Sequence, residues 1–387
     1  MTRAPLKFLI VTYTPNWMSV ARLVPRLTEQ GVEVHVVCQQ GALITLAEGL
    51  AGGVVLTPGL PLEVFGNTVY QEALRLRPDL IIPGEDRVVQ LLHDLYGRLG
   101  ESEDGAFVRA LIERSLGDPA HYAAIERKSA LVEMAARTGA AIPESRVAVT
   151  AEEALDFAGG LGYPVLLKPD HGVGGMGITL CDGPERLRQA FGLAQAQPLG
   201  VRREVPGLTV QRFVRGPTAS VTLLAWQGRM LAGFSWLRRH PFPNAFGLAS
   251  QLELSPSPVM LERAARVVAS FGFSGLGSVQ FVVDEQSGEP LVMEINARAT
   301  PVANLGARLG VDLIGGLCAI LRGEALPPDT EPRCRRVAFF PNEVLRDPNS
   351  PDLRDPAVYH DVPHDQPRLL AHLTESLRLR EASSRRN

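Results

Sequence analysis

Several patterns that would indicate particular classes of protein are missing from this chain of 387 residues. Its four cysteines, Cys38, Cys181, Cys318 and Cys334, show no Cys-x-x-Cys spacing, which argues against a structural zinc site and a disulfide framework. No apolar run approaches the ~18 residues that span a bilayer, and the apolar stretch near the N-terminus is too short for a secretion signal. We therefore expect a soluble, cytoplasmic protein.

Charge of one sign is also lacking, because the formal net charge is only −3. Such a balance gives no electrostatic reason to bind nucleic acid or an anionic membrane. The partners that we expect are small molecules, with neither nucleic acid nor membrane among them, and a homodimer is left open as the assembly.

Lysine is nearly absent, since only Lys7, Lys128 and Lys168 occur among the 39 basic residues. A lysine ammonium is a compact charge, and the planar fork of arginine does not replace it at a tight phosphate site. A lysine that survives this bias beside other phosphate-binding features is therefore a candidate ligand. Lys7 lies next to an apolar strand, and chance accounts for its presence. Lys128 and Lys168 are interpreted below from the motifs around them.

The length predicts two or three packed units of about 150 residues each. In the first hundred residues, apolar runs at 7–12, 32–37 and 79–83 alternate with helical patterns at 19–30 and 85–95. This alternation is typical of a parallel sheet covered on both faces. The turn after the first strand has no glycine fingerprint, so a dinucleotide is not expected there. A polar stretch at 100–105 marks the first boundary.

The rest of the chain predicts a different, largely antiparallel organisation. We expect strands at 165–168 and 178–181 around a glycine loop, two strands joined at Gln227 and Gly228, a helix at 258–271 and a hairpin at 277–295. From about residue 327 the chain is rich in proline, aspartate and arginine. We expect an irregular extension there, with one short helix near 369–377.

Four glycines, Gly172, Gly174, Gly175 and Gly177, follow directly after the strand that ends near Lys168. Backbone N–H groups in such a loop can approach and hold an anion, because no side chain intervenes. The embedded Gly-x-Gly-x-x-Gly is weak alone, and a strand follows it where a Rossmann motif needs a helix. Neither a kinase lysine on the next strand nor a Gly-Lys pair is present. A flap over phosphates is favoured, and an ordinary flexible hairpin is the alternative.

The second group of polar residues lies in the predicted hairpin. Glu294 and Asn296 are two apart on a strand and so share a face. If residues 285–289 form the turn, Asp284 pairs with Pro290 and Gln280 lies opposite Glu294. One carboxylate and two amide oxygens suit a Mg²⁺ ion that takes further ligands from phosphates and water. A hairpin with one solvated polar face is the alternative. Arg298 can share this face and stabilise developing charge.

These motifs, in this order, resemble the ATP-grasp superfamily, and most of all its carbamoyl-phosphate-synthetase type. The motifs that carry the resemblance are Lys128, Lys168 ahead of the glycine loop, Gln280, and Glu294-x-Asn296-x-Arg298. The resemblance covers about 116–327 and implies two α+β subdomains that hold ATP, with an α/β pre-ATP-grasp domain at 1–115 and an extension at 328–387. It implies ATP as co-substrate, with Mg²⁺ or Mn²⁺ on its phosphates.

The resemblance also implies a role for each residue. The residues that would bind ATP are Lys128, Lys168, Gly174, Gly175, Gln211, Phe213 and Val214. The metal would be bound by Gln280, Glu294 and Asn296, and Arg298 would be catalytic. Acidic residues usually contact the adenine and ribose, and here Gln211, Arg212 and Thr218 stand instead. Gln211 can replace a carboxylate as an acceptor.

Three further features are ambiguous in the sequence. Glu85 and Asp86 begin a helix after a strand, where capping is favoured over a substrate contact. A strand ends in Arg238, Arg239 and His240, which could hold the carboxylate of the acceptor or form a solvated strand end. Trp17 fits interface packing better than a substrate pocket.

The resulting expectation is an ATP-dependent ligase. It would activate a carboxylate as an acyl phosphate for attack by an amine or similar nucleophile, and release ADP and phosphate. The alternatives are phosphorylation of a small inorganic acid such as bicarbonate, as in carbamoyl-phosphate synthetases, and a nucleotide-binding module without catalysis.

Overall fold

The computed structural model describes residues 4–170, 177–196, 207–243 and 247–384. The chain begins with a parallel sheet of order β3-β2-β1-β4. Its strands are β1 (Lys7–Thr12), β2 (Glu33–Gln39), β3 (Leu50–Leu56) and β4 (Leu80–Pro83), and its helices are α1 (Met18–Glu29), α2 (Leu62–Leu76), α3 (Asp86–Arg98) and α4 (Glu103–Leu116). Strand β1 sends Phe8 and Ile10 to one core and Leu9 and Val11 to another, as a strand covered on both faces must.

The second unit is a four-stranded antiparallel sheet of order β5-β8-β6-β7 with helices against one face. Its elements are α5 (Tyr122–Ile125), α6 (Ser129–Thr138), β5 (Ser145–Ala148), α7 (Ala151–Leu161), β6 (Val165–Pro169), β7 (Thr179–Cys181), α8 (Pro184–Ala196) and β8 (Leu208–Arg212). Val165, Leu167 and Val210 pack in one core with residues of α7 and α8. The alternate positions on β6 and β8 therefore face away from that core.

The third unit is a seven-stranded sheet of order β13-β12-β9-β10-β11-β14-β15. Its strands are β9 (Thr218–Trp226), β10 (Arg229–Phe242), β11 (Leu248–Leu254), β12 (Gly275–Val283), β13 (Pro290–Asn296), β14 (Arg336–Ala338) and β15 (Val358–His360). Its helices are α9 (Pro258–Ser270), α10 (Leu313–Arg322), α11 (Asn342–Arg346) and α12 (Pro367–Ser384). Val221, Val279 and Phe281 pack under α9.

The expectation of an irregular C-terminal extension is wrong. Strand β14 pairs with β11 and then in parallel with β15, so the segment completes the large sheet. Helix α12 has 18 residues, and its Leu369 and Leu373 pack in the same core as Phe8 of β1. The short apolar triplets of these strands are stabilised by sheet neighbours, which a local pattern does not reveal.

In the described part of the chain, no single helix is both long and apolar enough to cross a bilayer. One bent pair, Ala303–Leu309 with Leu313–Arg322 at 102°, has sufficient length and apolar composition when the two helices are taken together.

Candidate active site

The hairpin of β12 and β13 brings the three predicted metal ligands together. Gln280 lies directly opposite Glu294, and Ser278 lies opposite Asn296. The predicted register is correct at this pair but shifts beyond it, because a bulge between Gln280 and Phe281 makes Val283, not Asp284, the partner of Pro290. A bulge adds one residue to one strand, and no alternation in the sequence indicates where that residue falls.

Arg298 is held from three sides just after β13. Its Nη2 donates to Oδ1 of Asn296 at 3.0 Å, and its Nε donates to Oδ1 of Asp86 at 3.0 Å. The guanidinium carbon also lies 5.1 Å from the ring centre of Trp17, which is a cation–π distance. The Arg298 side chain is 7% exposed, so its fork is fixed in a largely dehydrated position beside the predicted metal ligands.

The uncovered face of the four-stranded sheet carries a polar row. Lys168 on β6 pairs with Thr209 on β8, and Gln211 lies two residues further along β8 on the same face. All three are buried, and both Oγ1 of Thr209 and Oε1 of Gln211 have no hydrogen-bond partner among the described residues. Buried polar atoms without partners are uncommon and fit a face that holds a polar ligand.

Burial lowers the pKa of Lys168 to about 8, although the negative charge of Glu294 opposes that change and Lys128 adds to it. The structure thus places the Lys168 ammonium within electrostatic range of both the second lysine and the hairpin carboxylate. A buried cation with its pKa depressed by desolvation gains from an anion bound beside it.

Lys128 precedes the first turn of α6, where Asp170 fixes the backbone. The Lys128 N–H donates to the Asp170 carbonyl at 3.3 Å, and the Asp170 carboxylate accepts from the N–H and the hydroxyl of Ser129 at 2.8 and 2.9 Å. These bonds connect Asp170, which follows β6, to the start of α6. Gly174 and Gly175, predicted to hold phosphates, lie outside the described residues.

Phe213 and Val214 form the connection from β8 to β9, between the two sheets. The N–H of Phe213 donates to the Pro164 carbonyl at 3.4 Å, and Val214 packs against Val282 and Leu291. Nearby, the Gln211 amide donates to Oγ of Ser145 at 2.9 Å, which leaves its carbonyl oxygen free to accept. This is the position where the resemblance places adenine.

Two cavities meet at the hairpin. The smaller, about 80 Å³, is lined on one side by Lys128 and Asp170, and the larger, about 320 Å³, by Trp17, Arg238 and Arg298. Glu294 and Asn296 line both cavities. The predicted metal ligands therefore stand between a lysine-bearing cavity and an arginine-bearing one.

Arg238 and Trp17 both belong to the larger cavity. Arg238 donates to Oγ1 of Thr218 at 2.6 Å and to the Gly247 carbonyl at 2.8 Å, and burial lowers the pKa of its guanidinium. Arg239 instead forms an exposed pair with Glu253, as a solvated strand end would. Trp17 lines the larger cavity and also packs against the hydrophobic core that contains Phe8 and Leu224.

The donor set at the hairpin fits a hard divalent cation. Gln280, Glu294 and Asn296 offer one carboxylate and two amide oxygens on one sheet face, and Mg²⁺ prefers oxygen ligands and retains positions for phosphate and water. Among the described residues there is no group of three or more His, Cys, Asp or Glu side chains that could hold a metal ion without amide ligands.

Two acidic residues take roles that the sequence did not assign. Glu85 begins α3, but its carboxylate makes no capping bond and instead accepts from the backbone N–H groups of Tyr13 and Thr14 in the loop after β1. Asp86 binds Arg298, 212 positions away.

Thr209 was not predicted as a site residue, although the sequence carried a signal for it. Polar residues alternate in Leu208–Arg212, which places Thr209 and Gln211 on one face of the strand.

Comparison with known proteins relates the chain to ATP-dependent carboxylases and synthases. The family model described as carbamoyl-phosphate synthase L chain, ATP binding domain, matches residues 126–219 and 249–328. A putative urea carboxylase of Emericella nidulans is 28% identical over 278 residues, which are 64% of this chain and 20% of that protein. The chain thus spans about a fifth of the length of this relative.

Solved structures share the fold at low sequence identity. A biotin carboxylase complex from Campylobacter jejuni aligns with a TM-score of 0.65 at 18% identity, covering 83% of this chain and 72% of that one. The biotin carboxylase domain of 2-oxoglutarate carboxylase from Hydrogenobacter thermophilus, in complex with MgADP, ADP and bicarbonate, aligns with a TM-score of 0.64 at 19% identity, covering 86% and 72%. The mixed architecture expected from the sequence is confirmed.

Proposed function

Because residues 126–219 and 249–328 match the model of the carbamoyl-phosphate synthase ATP binding domain, we propose that the chain is an ATP-dependent ligase of the ATP-grasp type that activates a carboxylate as an acyl phosphate. The carboxylate attacks the γ-phosphorus of ATP and displaces ADP. An amine or similar nucleophile then attacks the acyl carbon and displaces inorganic phosphate. Both steps balance without an oxidant or a protein nucleophile.

One observation carries this proposal: Glu294 and Asn296 line both cavities. A phosphoryl group that passes from ATP to a second substrate must travel between two binding sites, and a cation at their boundary can contact it throughout. Phosphoryl transfer needs mainly positioning and charge stabilisation from the protein. Lys128 in the smaller cavity and Arg238 and Arg298 in the larger one supply that charge.

Each side chain has a defined task in this scheme. Lys128 and Lys168 bind phosphate oxygens, Gln211 accepts from the adenine amino group, and backbone groups of Phe213 and Val214 meet the adenine edge. Gln280, Glu294 and Asn296 hold Mg²⁺ or Mn²⁺, which neutralises phosphate charge when bound. Arg298 stabilises negative charge on the oxygens of the forming acyl phosphate.

The proposed organisation has a pre-ATP-grasp domain at 1–115 and an ATP-grasp domain at 116–327, with residues 328–387 completing the large sheet of the latter. The hydrophobic core that joins Phe8, Leu224 and Leu369 supports rigid contact between these parts. A homodimer is the assembly that we propose to test by light scattering.

The experiment traps the acyl phosphate chemically. The protein is incubated with Mg-ATP, pooled carboxylic acids and hydroxylamine, which converts any acyl phosphate to a hydroxamate regardless of the natural amine. We expect equal amounts of hydroxamate, ADP and phosphate. AMP with pyrophosphate, or no nucleotide turnover, contradicts the proposal, and Arg298→Ala is the matched inactive control.

A second candidate is phosphorylation of bicarbonate, favoured by the structural neighbour described in complex with bicarbonate. It predicts ADP release with bicarbonate alone and no hydroxamate from organic acids. Binding of ATP without turnover, over the full acid pool, would instead support a non-catalytic nucleotide-binding module.

A further inference from the structure

The larger cavity is much bigger than a small inorganic acid requires. Its volume of about 320 Å³ has room for about ten water molecules at about 30 Å³ each. Pockets that bury organic ligands begin near about 300 Å³. Bicarbonate, with four non-hydrogen atoms, would leave most of this space to solvent.

The charged residues around the cavity favour an anion. Three arginines, Arg22, Arg238 and Arg298, line it with two carboxylates, Glu294 and Asp361. Glu294 belongs to the proposed metal site, and the Asp361 carboxylate accepts a hydrogen bond from Nη2 of Arg22. Arg298 is paired with Asp86, which does not line this cavity, so among the described residues Arg238 remains as the lining cation with no carboxylate at ion-pair distance.

Free hydrogen-bond donors also line this cavity. Nε and Nη1 of Arg22, Oγ1 of Thr300 and Nε1 of Trp17 are buried without hydrogen-bond partners among the described residues. Arg22 is 9% exposed and Thr300 8% exposed. Buried donors in native proteins are nearly always satisfied, so a ligand or ordered water with acceptor oxygens belongs here.

Four aromatic side chains form part of the cavity lining, beside aliphatic residues such as Leu248 and Val302. Trp236, Phe339 and Phe340 line the cavity together with Trp17. Nε1 of Trp236 already donates to Oγ1 of Thr222 at 2.9 Å, so Trp236 offers the cavity only apolar surface. Aromatic walls around a cationic end match an anion with an apolar body.

We infer that the larger cavity binds the acid that is activated, and that this acid is an organic carboxylate with an apolar body about the size of an aromatic ring. The inference rests on the proposed function and names its substrate class. The carboxylate lies toward Arg238 and Arg298, where it can reach the γ-phosphate, and the apolar body lies against Trp236 and the two phenylalanines.

The test compares acids that share a carboxylate and differ in body. With Mg²⁺ and a non-hydrolysable ATP analogue present, calorimetry measures binding of 3-phenylpropionate, acetate and bicarbonate to the full chain. We expect 3-phenylpropionate to bind at least about tenfold more tightly than the other two, because only it buries a ring. Equal affinities, or no binding by 3-phenylpropionate, overturn the inference.

A pair of tryptophan variants tests the wall itself. Trp236→Leu should weaken the binding of 3-phenylpropionate about fivefold or more and leave the affinity for acetate unchanged. Trp226→Leu is the matched control, because Trp226 packs against the same core but does not line the cavity. Equal loss in both variants would make Trp236 merely structural. If Trp236→Leu does not fold, the acid series on the unaltered protein still tests whether the cavity prefers an acid with an aromatic body.

The hydroxamate assay separates the two proposals. Tight binding of 3-phenylpropionate with no ADP from any acid would contradict the ligase and leave the cavity assignment standing. ADP release with acetate or bicarbonate as readily as with 3-phenylpropionate would support acid phosphorylation and overturn the substrate class.

Discussion

Nε of Arg298 lies 3.0 Å from Oδ1 of Asp86, although 212 positions separate the two residues in the chain. Asp86 begins α3 in the N-terminal unit, and Arg298 follows β13 of the large sheet, which carries two of the proposed metal ligands. The first hundred residues thus contribute directly to the candidate active site. Asp86 is a positioning residue in our scheme, because it acts through the arginine.

Replacing Arg298 tests its action on the transition state. Arg298→Ala should lower kcat about 10²- to 10³-fold, because charge on the acyl-phosphate oxygens loses its stabiliser, while nucleotide affinity changes little. Arg298→Lys should restore little, since a point charge does not replace a bidentate fork. ADP release and calorimetry on the same variants provide the measurement, and equal losses in both would make Arg298 a ground-state ligand of ATP.

Replacing Asp86 tests the positioning role. Asp86→Asn should lower kcat by about tenfold or less, because the hydrogen bond to Arg298 loses its charge and the carboxylate is one-third exposed. The KM for ATP should stay the same. Asp104→Asn, which removes an exposed ion pair with Arg77, is the matched control and should leave kcat unchanged. A rise in KM without a fall in kcat would refute the role.

The metal assignment predicts a specific dependence on magnesium. Glu294→Gln removes the only formal charge of the three-residue ligand set, so the Mg²⁺ concentration for half-maximal ADP release should rise about tenfold or more. Excess Mg²⁺ should restore activity only in part. Glu285→Gln, at the exposed turn of the same hairpin, is the control. Unchanged magnesium dependence in Glu294→Gln would place the metal elsewhere.

Local patterns were sufficient for some strands, such as β1, and for the central pair of the hairpin. The predicted strand 7–12 is the observed Lys7–Thr12, and Gln280 opposes Glu294 as the assumed register predicted, although the pairing beside the turn is off by one residue. What local patterns could not supply was the meeting of distant segments. The Asp86–Arg298 bond and the burial of Trp17 beside it depend on how the N-terminal unit docks on the large sheet.

The C-terminal segment shows the same limit for a different reason. Strands of three residues, such as Arg336–Ala338, carry too few positions for a period to be recognised. They form because β11 offers an edge with open hydrogen bonds, and β14 then offers one to β15. The composition rich in proline and aspartate reflects the turns between these strands and concealed the strands themselves.

The attachment of this segment depends on Glu343. Burial raises the pKa of the Glu343 carboxyl, but hydrogen bonds from Arg346, Ser250 and Gln251 outweigh burial and lower that pKa to about 2. A carboxyl whose pKa is depressed on folding stabilises the protein above its unfolded pKa, and this contribution disappears as the pH falls through the folded pKa.

We therefore expect the difference in unfolding free energy between the unaltered protein and Glu343→Gln to be about 3 kcal/mol at pH 7 and to shrink between about pH 5 and pH 2. Urea unfolding at a series of pH values measures it. Glu253→Gln, which breaks an exposed pair with Arg239, should cost less than about 1 kcal/mol. A pH-independent difference would show that the Glu343 charge contributes nothing to stability.

The pKa of Lys168 makes nucleotide binding depend on pH. Burial lowers that pKa to about 8, so the ammonium is mostly charged at pH 7 and mostly neutral at pH 9. If only the charged form binds phosphate, the affinity for MgADP should fall about tenfold over this range, because raising the pH removes the cation. Lys168→Met should bind weakly at both pH values and show no such fall, which separates Lys168 from every other group that titrates in this interval. Calorimetry at pH 7 and pH 9 on both proteins is the measurement. A tenfold fall that persists in Lys168→Met would assign the titration to another residue, and an unaltered protein that binds equally at both pH values would remove Lys168 from the phosphate site.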